Sequence, residues 1–405
     1  MDVDSLPSLP PEVWLQILRY ATLSTSTPIS FAIKYHPFQA STENDIDPSD
    51  SALHVKAVVA RVCKRWKELS TDLLYEDIIL HRSSAKQFRE LLQNTQDAGS
   101  HTPEINKMVH RVLLPYSSSV PQVHSTPSDS VEFLRECHEL KILVRPGPWF
   151  AGPLQEFVRY EFPAEPCPPL TSLQRLDWWH NNDASRTGGI NSLPEVVLAA
   201  PNLKYLTLAG DVWLGLLHTP PVELAKLTTL RLRRVNVLFI QLIGRWTLPS
   251  LDTLILDTAA SVYTLQGLLE VYAEQLRSVE LGKSLAFTVH SVLQSILDRC
   301  NNLKQLNYYI YFVAPPDPDT PISCGDTLET VGLHAHRAEI ITNHFAWSHL
   351  QKHLQLFSQP AFTRLKRVLL YGDWDNIISD PLYPKLVQKL VDRGCVVERA
   401  PEGAW

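Results

Sequence analysis

The chain has 405 residues, of which 44% are hydrophobic and 20% are charged, and its formal net charge is −6. This composition suits a folded protein and excludes wholesale disorder, and the length predicts either two domains or an elongated repeat array. The mild negative charge provides no concentrated basic surface for phosphate, so we do not expect nucleic acid as a partner.

The first residues give no sign of secretion, and the cysteines indicate a reducing compartment. The first four residues are Met-Asp-Val-Asp and lack the basic and apolar run of a secretory signal. No apolar stretch approaches the ~18–20 residues that span a bilayer, so no membrane association is expected. The six cysteines are scattered without a C-x-x-C pair, which favours free thiols over disulfides or zinc. We expect a cytoplasmic or nuclear protein.

Three short helices are predicted within the first 80 residues. A proline pair opens a helix near 10–21, and an amphipathic pattern indicates a second helix over 52–69. Ser70 offers an N-cap for a short third helix at 71–76. Three such helices bury little apolar surface by themselves, so their apolar face requires cover. Either a partner or the chain's own second domain would provide that cover.

The opening helices resemble the F-box motif. The resemblance lies in Leu9-Pro10-Pro11-Glu12-Val13 with Ile17-Leu18, in Val62-Cys63-Lys64-Arg65-Trp66, and in Leu73-Leu74-Tyr75. It implies a three-helix module whose apolar face binds the Skp-family adaptor of an SCF ubiquitin ligase, with its cullin-based core. Carried over position by position, the resemblance gives these partner-binding candidates: Leu9, Pro10, Ile17, Leu18, Val62, Cys63 and Trp66.

An insertion at 22–51 departs from the short linker that is usual between F-box helices. It is polar, contains proline, carries an apolar patch at Phe31 to Phe38, and is expected to be a mobile loop. Similar insertions occur in F-box proteins of mushroom-forming, basidiomycete fungi. The predicted organisation is an F-box module at 1–80, a connecting segment at 81–104 and a repeat domain at 105–405.

A strand pattern recurs through the rest of the chain: apolar, two residues, apolar, one residue, apolar. Nine copies begin at these residues: Val109, Leu173, Leu203, Leu227, Leu251, Leu276, Leu303, Leu328 and Leu365. Helical patterns at 261–275 and 289–300 lie between copies. The spacing resembles leucine-rich repeats, which have periods of ~20–29 residues, although the asparagine usual in those repeats is missing from most copies.

The predicted fold class is therefore α/β, a small three-helix F-box module followed by an irregular leucine-rich-repeat solenoid, or horseshoe. The alternative is an ordinary α/β domain with accidental matches. In a horseshoe, residues that flank the inward leucines form the concave face, where aromatic residues and arginines are typical of binding hot spots. The target-binding candidates are Trp179, Tyr205, Arg231, Arg233, Asp257, Glu280, Tyr309, His334 and Tyr371.

No motif indicates catalysis or a cofactor. Gly282-Lys283-Ser284 resembles the end of a P-loop, but Arg277 replaces the glycine that the phosphate cradle needs. His334 with His336, and His349 with His353, have spacings that can hold a metal, yet no completing acid motif accompanies them. We expect no catalytic residue, no metal and no cofactor.

The predicted function is a substrate-recognition adaptor of an SCF-type E3 ubiquitin ligase. It would bind a Skp-family subunit through the F-box and an unknown target protein through the repeats, and it would not be an enzyme. Two alternatives stay open: a ligase-independent scaffold for protein interactions, and an unrecognised enzyme or metal-binding protein.

Overall fold

The structure is a computed structural model of the chain. It describes residues 9–22, 32–39, 51–80, 84–97, 105–114, 127–147, 165–215, 219–257, 262–284, 286–289, 291–316, 322–335 and 344–401.

A single sheet of 12 strands runs through the described residues, and its strand order follows the order of the chain. The pairings are parallel, as a strand–helix alternation requires. The strands are β1 Asp77–Ile79, β2 Arg111–Leu113, β3 Ile142–Arg145, β4 Arg175–His180, β5 Tyr205–Gly210, β6 Thr229–Val235, β7 Thr253–Leu256, β8 Ser278–Leu281, β9 Gln305–Tyr309, β10 Thr330–Ala335, β11 Arg367–Gly372 and β12 Val396–Arg399.

Helices are interleaved with these strands. They are α1 Pro11–Thr22, α2 Ser51–Val59, α3 Lys64–Tyr75, α4 Ser84–Asp97, α5 Ile105–Met108, α6 Pro127–Glu136, α7 Asn182–Ser185, α8 Leu193–Leu198, α9 Val237–Ile243, α10 Val262–Tyr272, α11 Ala286–Val289, α12 Val292–Arg299, α13 His344–Phe357, α14 Asp375–Ile378 and α15 Tyr383–Asp392. Short 3₁₀ turns lie at Gly189–Asn191 and Ile310–Phe312.

The nine predicted strands are all present, because each repeat places its second apolar residue in the buried interior of a strand. From β5 to β11 these residues pair in register and form one continuous apolar row with at most 1% of each exposed. The row consists of Leu206, Leu230, Leu254, Val279, Leu306, Val331 and Val368. Burial of such a row is the main stabilising contribution that the pattern encodes. Strands β1, β3 and β12 were not predicted.

The predicted second helix, 52–69, is interrupted in the structure. α2 ends at Val59, and α3 begins at Lys64 behind Cys63, whose extended backbone and thiol cap it: Trp66 N–H donates to Cys63 Sγ at 3.4 Å. The predicted third helix is part of α3, so Ser70 is not an N-cap. Helical periodicity continues across the interruption, which is why the apolar pattern does not reveal it.

The chain divides into two compact units. The first contains residues 1–32, 40–177 and 186–200, and the second contains 33–39, 178–185 and 201–405. The helices α1 to α3 belong to the first unit together with β1 to β3, and α3 packs against both β1 and α5.

The predicted fold class, an F-box module followed by a leucine-rich-repeat horseshoe, is wrong. The finding that overturns it is the single parallel 12-stranded sheet with interleaved helices, an α/β architecture. The repeated pattern describes one buried strand and the turn that leads into it, and such strands occur in any parallel sheet. The pattern therefore predicted the strands without determining the fold built from them.

Among the described residues, no helix combines the length and the apolar character that crossing a bilayer would require.

Candidate functional site

A small apolar core joins the first three helices. Leu18 of α1, Val59 of α2 and Leu73 of α3 meet there, each with at most 7% exposed. Trp66 packs against this core while its ring lies 5.7 Å from that of Trp14. The core orients the helices and leaves their outer faces uncovered.

Several large apolar side chains on these helices are exposed. Val13, Ile17 and Tyr20 recur at steps of four and three, so they share one face of α1, and 42% of Ile17 is exposed. Val58 at the end of α2 and Val62 in the following turn are about half exposed, at 49% and 56%. We call Val13, Ile17, Tyr20, Val58 and Val62 the apolar helical surface.

The structure places the partner-binding candidates in three environments. Ile17, Val62, Cys63 and Pro10 are exposed, and Leu9 and Trp66 are half-buried. Leu18 is 2% exposed and belongs to the core of the helices, so it has no surface for a partner. Leu18 lies on the inward face of α1, one residue beyond the exposed Ile17. Sequence similarity alone does not distinguish such a core residue from a residue that is exposed to a partner.

In the second unit, two rows of side chains lie on one face of the sheet. The first row runs in register through Arg231, Ile255, Glu280, Asn307, Gly332 and Leu369. Two residues further along the strands, and therefore on the same face, a second row includes Tyr309, His334 and Tyr371. We call this surface the sheet-face site.

Part of the 22–51 insertion lies on the sheet-face site. Residues 33–39, here called the 33–39 segment, are described, whereas 23–31 and 40–50 lie outside the described residues. The Tyr35 hydroxyl donates to Glu280 Oε2 at 2.7 Å and accepts from Asn307 Nδ2 at 2.5 Å. The backbone N–H of Phe38 donates to the same Glu280 oxygen at 2.7 Å.

The Phe38 ring fills an aromatic cage on the second row. Its centroid lies 5.1 Å from that of Tyr309, 4.9 Å from His334 and 4.8 Å from Tyr371. Phe38 has a φ of 59°, a left-handed conformation that is uncommon for a bulky residue. Burial of the ring and the bond to Glu280 offset that backbone strain, which is of order 1–3 kcal/mol.

A buried charge cluster secures the end of the 33–39 segment. Arg231 makes two bonds to the carboxylate of Asp257, at 2.8 and 2.9 Å, and donates at 2.8 Å to the carbonyl of Gln39. Arg233 Nε also contacts Asp257, at 2.9 Å. Burial alone would lower the pKa of Arg231, but Asp257 raises it above its usual value, so the guanidinium stays charged.

Burial also changes the acids of the site. It raises the pKa of the Glu280 carboxyl to about 7, against the lowering effect of the neighbouring Arg231. The pKa of Tyr35 is raised well above its ordinary value, first by burial and then by Glu280. Glu280 Oε2 accepts from two donors of the 33–39 segment, so in this structure the carboxyl binds a peptide of the chain itself.

Gly332 makes room for one contact of the first row. A Cβ at Gly332 would lie 2.3 Å from Asn307 Oδ1 and 3.2 Å from the Tyr371 ring. Because the glycine has no side chain, the Asn307 amide can occupy this space and donate to Tyr35.

The predicted target-binding residues are brought together in part. Arg231, Glu280, Tyr309 and Tyr371 are all at most 9% exposed, and Tyr205 is completely buried. Trp179, Arg233, Asp257 and His334 are half-buried. The structure thus places most of this set beneath the chain's own segment, where the sequence predicted a free face.

The sequence reasoning missed Asn307, Gly332 and the three contributing residues of the insertion, Tyr35, Phe38 and Gln39. Asn307 flanks the inward Leu306 in the same way as the chosen residues and could have been included. The insertion gave a second signal, since Tyr35 is of a residue type that is enriched at contact hot spots.

In the first unit, another arginine binds a residue of the insertion. Arg175 contacts Asp177 Oδ2 at 3.0 Å and donates to the carbonyl of Ala32 at 2.7 Å. Both side chains are almost completely buried. The sequence reasoning did not single out either residue.

The histidine pair on α13 makes structural hydrogen bonds. His353 is completely buried between the Tyr308 hydroxyl at 2.9 Å and the Val313 carbonyl at 3.0 Å, and its ring contacts His349. His349 bonds the Ile310 carbonyl at 2.9 Å. His336 lies outside the described residues. Within the part of the chain that the structure describes, no group of three or more histidine, cysteine, aspartate or glutamate side chains could hold a metal.

Lys283, from the P-loop-like triplet, lies against an aromatic ring. Its ammonium is 5.0 Å from the centre of the Tyr309 ring, a distance typical of a cation–π contact.

No family model matches the chain, and no curated protein matches it in sequence.

Proposed function

We propose that the chain is a non-catalytic adaptor that binds a Skp-family subunit of a ubiquitin ligase through α1 to α3 and a target protein through its parallel sheet. The observation that carries the proposal is the apolar helical surface. Val13, Ile17 and Tyr20 on α1 remain exposed, as do Val58 and Val62. Exposed apolar side chains grouped on adjoining helices are typical of protein-binding surfaces.

The residues that resemble the F-box motif give the partner its expected identity. Ile17, Val62 and Cys63 are exposed where that resemblance places the docking face. A typical stable interface buries ~1,600 Å² in total, and a few central apolar residues supply most of its free energy. The adaptor would act in a cytosolic or nuclear compartment, where free thiols persist.

The test is a binding titration of the purified chain with a purified Skp-family subunit. Ile17→Asp combined with Val62→Asp is expected to weaken binding by at least about tenfold, because two charges would be desolvated in the interface. The matched control is Leu198→Asp on α8, which changes an exposed apolar residue elsewhere in the first unit. Leu9→Ala with Pro10→Ala is expected to weaken binding as well.

Equal binding by the wild type and the Ile17/Val62 variant would refute the docking assignment. A second titration, with the Skp-family subunit already bound to its cullin, separates two forms of the proposal. Binding to the complex supports the ligase adaptor. Binding to the free subunit alone favours a scaffold that works outside a ligase.

A further inference from the structure

We propose that the sheet-face site recognises a peptide of the form Tyr-x-x-Phe, and that the 33–39 segment is a resident competitor which a target must displace. This inference rests on the proposed function only in taking the sheet as the target-binding surface. It concerns the second unit and does not involve the helices that would bind the Skp-family subunit.

The resident segment defines the chemistry of the ligand. The site supplies an acceptor, Glu280 Oε2, for a phenol O–H and for a backbone N–H three residues later. It supplies one donor, Asn307 Nδ2, for the phenol oxygen. The site therefore favours an unmodified tyrosine, whose hydroxyl donates to Glu280 and accepts from Asn307, whereas a phosphate is largely dianionic at neutral pH and would be placed against the Glu280 carboxyl.

The second requirement is a phenyl ring. The cage of Tyr309, His334 and Tyr371 surrounds the Phe38 ring at centroid distances of 4.8–5.1 Å. Such edge-to-face and tilted contacts stabilise an aromatic ring beyond simple burial. Arg231 makes a third contact, with the backbone carbonyl of Gln39, the residue that follows Phe38. This contact requires only a peptide backbone in the ligand.

The 33–39 segment is held on the sheet-face site in the way that a bound peptide ligand would be. The segment's contacts given by the structure are side chains of the face and not a strand ladder with a neighbouring strand. His36 lies between the two anchors, Tyr35 and Phe38, and Lys34 precedes them; both residues are exposed. A short peptide held by a few anchor residues can be exchanged for another of the same chemistry.

Competition from a tethered segment reduces the apparent affinity for a target. The apparent affinity is the intrinsic affinity of the open site multiplied by the fraction of molecules in which the site is open. Removing the anchors of the segment should therefore increase the affinity for a peptide added in solution, whereas altering its exposed residues should not.

The test uses the full chain and a fluorescein-labelled peptide with the sequence of residues 33–39, followed by fluorescence anisotropy. The Tyr35→Ala, Phe38→Ala double variant leaves the sheet-face site intact and is expected to bind the peptide at least about tenfold more tightly than the wild type. The matched control is Lys34→Ala with His36→Ala, which should behave as the wild type does.

The peptide itself is varied in the same assay. Replacing its phenylalanine by alanine, or its tyrosine by phosphotyrosine, should abolish the gain seen with the double variant. Adding Glu280→Ala to the double variant should abolish it too. If the double variant is folded and binds the peptide no better than the wild type does, the proposal fails.

Hydrogen–deuterium exchange of the wild type gives a second measurement that needs no variant. The amides of 33–39 should exchange by local opening, faster than those of β8 and β9 beneath them. If they exchange only together with β8 and β9, or if the double variant does not fold, the segment is a permanent part of the core and the proposal is overturned. Neither outcome affects the helix titration, so the two proposals can fail separately.

Discussion

The hydroxyl of Tyr35 donates a 2.7 Å hydrogen bond to Oε2 of Glu280, although 245 positions separate the two residues in the chain. The same oxygen accepts the N–H of Phe38, so one carboxyl binds both ends of a Tyr-x-x-Phe sequence. This double acceptor links the 33–39 segment to strand residues within the same unit.

Glu280→Gln should change how stability depends on pH. The pKa of this carboxyl is raised by burial from 4.5 to about 7, so between those values the folded chain retains a proton that the unfolded chain has lost. The free energy of unfolding of the wild type therefore receives a contribution that decreases as pH rises from about 4.5 to about 7, on the order of 3 kcal/mol over the whole range. Glutamine cannot ionise and lacks this contribution.

Urea unfolding of both proteins at pH 5 and pH 8 measures the effect. Relative to the wild type, Glu280→Gln should gain stability as the pH rises. Glu398→Gln, on the exposed end of β12, is the control. Parallel pH profiles for the wild type and Glu280→Gln would contradict the assignment.

His353 should have the opposite effect on acid stability. Burial lowers the pKa of its ring from 6.5 to about 3, so below pH 6.5 the unfolded chain takes up a proton that the folded chain does not. The free energy of unfolding should then decrease by about 1.4 kcal/mol for each unit by which the pH is lowered from 6.5 to 3. The contributions of Glu280 and His353 oppose each other between pH 4.5 and 6.5. Glu280→Gln should therefore be the more acid-sensitive chain, and His353→Asn the less acid-sensitive one, in the same urea series.

Gly332→Ala should destabilise the second unit and loosen the 33–39 segment. The new Cβ would lie 2.3 Å from Asn307 Oδ1, so the amide that contacts Tyr35 must move. Overpacking of this kind costs about 1–3 kcal/mol. Gly267→Ala on α10 is a matched control, because a Cβ there meets nothing within 4 Å and should stabilise the helix by about 0.5–1 kcal/mol. Thermal unfolding and hydrogen exchange of both variants provide the check; a neutral Gly332→Ala would contradict the packing account.

Trp66→Ala should affect stability and partner binding together. Trp66 packs on the Leu18 core and on the Trp14 ring, so its truncation removes contacts inside the helices. Under the proposed function it also removes a side chain that the partner would contact. We expect a loss of about 1–2 kcal/mol in stability, below the 3–5 kcal/mol of a fully buried tryptophan. Val62→Asp, at an exposed site, should reduce binding to the Skp-family subunit with little change in melting temperature. Equal melting temperatures for the wild type and Trp66→Ala would contradict this.

The cysteines should differ in reactivity toward a maleimide at neutral pH. Cys63 is exposed, whereas Cys137, Cys300 and Cys324 are buried, and burial raises the pKa of each of these three thiols to about 12. Since the thiolate is the reactive form, Cys63 should be modified much faster than these three cysteines in the folded chain. Mass spectrometry of labelled peptides measures this, with urea-denatured chain as the control. A bound Skp-family subunit should protect Cys63; unchanged labelling would argue against docking at this face.

Local periodicity was enough to predict the strands. Each copy of the apolar pattern, such as Leu227 to Leu232, became a strand whose inward residues are buried, because alternation along a strand is a property of adjacent residues. The fold class was not predictable in the same way. The continuation of the sheet through β1 and β3 depends on pairings between strands, and the same short patterns are compatible with several parallel architectures.

In the candidate site, too, the sequence predicted some features and not others. The choice of Arg231, Glu280, Tyr309, His334 and Tyr371 followed from their positions beside buried leucines, and the register places them on one face. Their environment was not foreseen. The insertion was expected to be a mobile loop, yet its residues 33–39 cover this face, through contacts between positions 192 to 272 residues apart.

The amino-acid sequence by itself determined which residues face inward on each strand and that the opening helices are amphipathic, since both follow from spacing over a few residues. Only the tertiary structure decided that Leu18 is core while Ile17 is surface, that Glu280 is buried beneath Tyr35, and that the strands form one sheet. These depend on which distant segments meet, and the free energy of those contacts arises from burial and hydrogen bonding that no local pattern encodes.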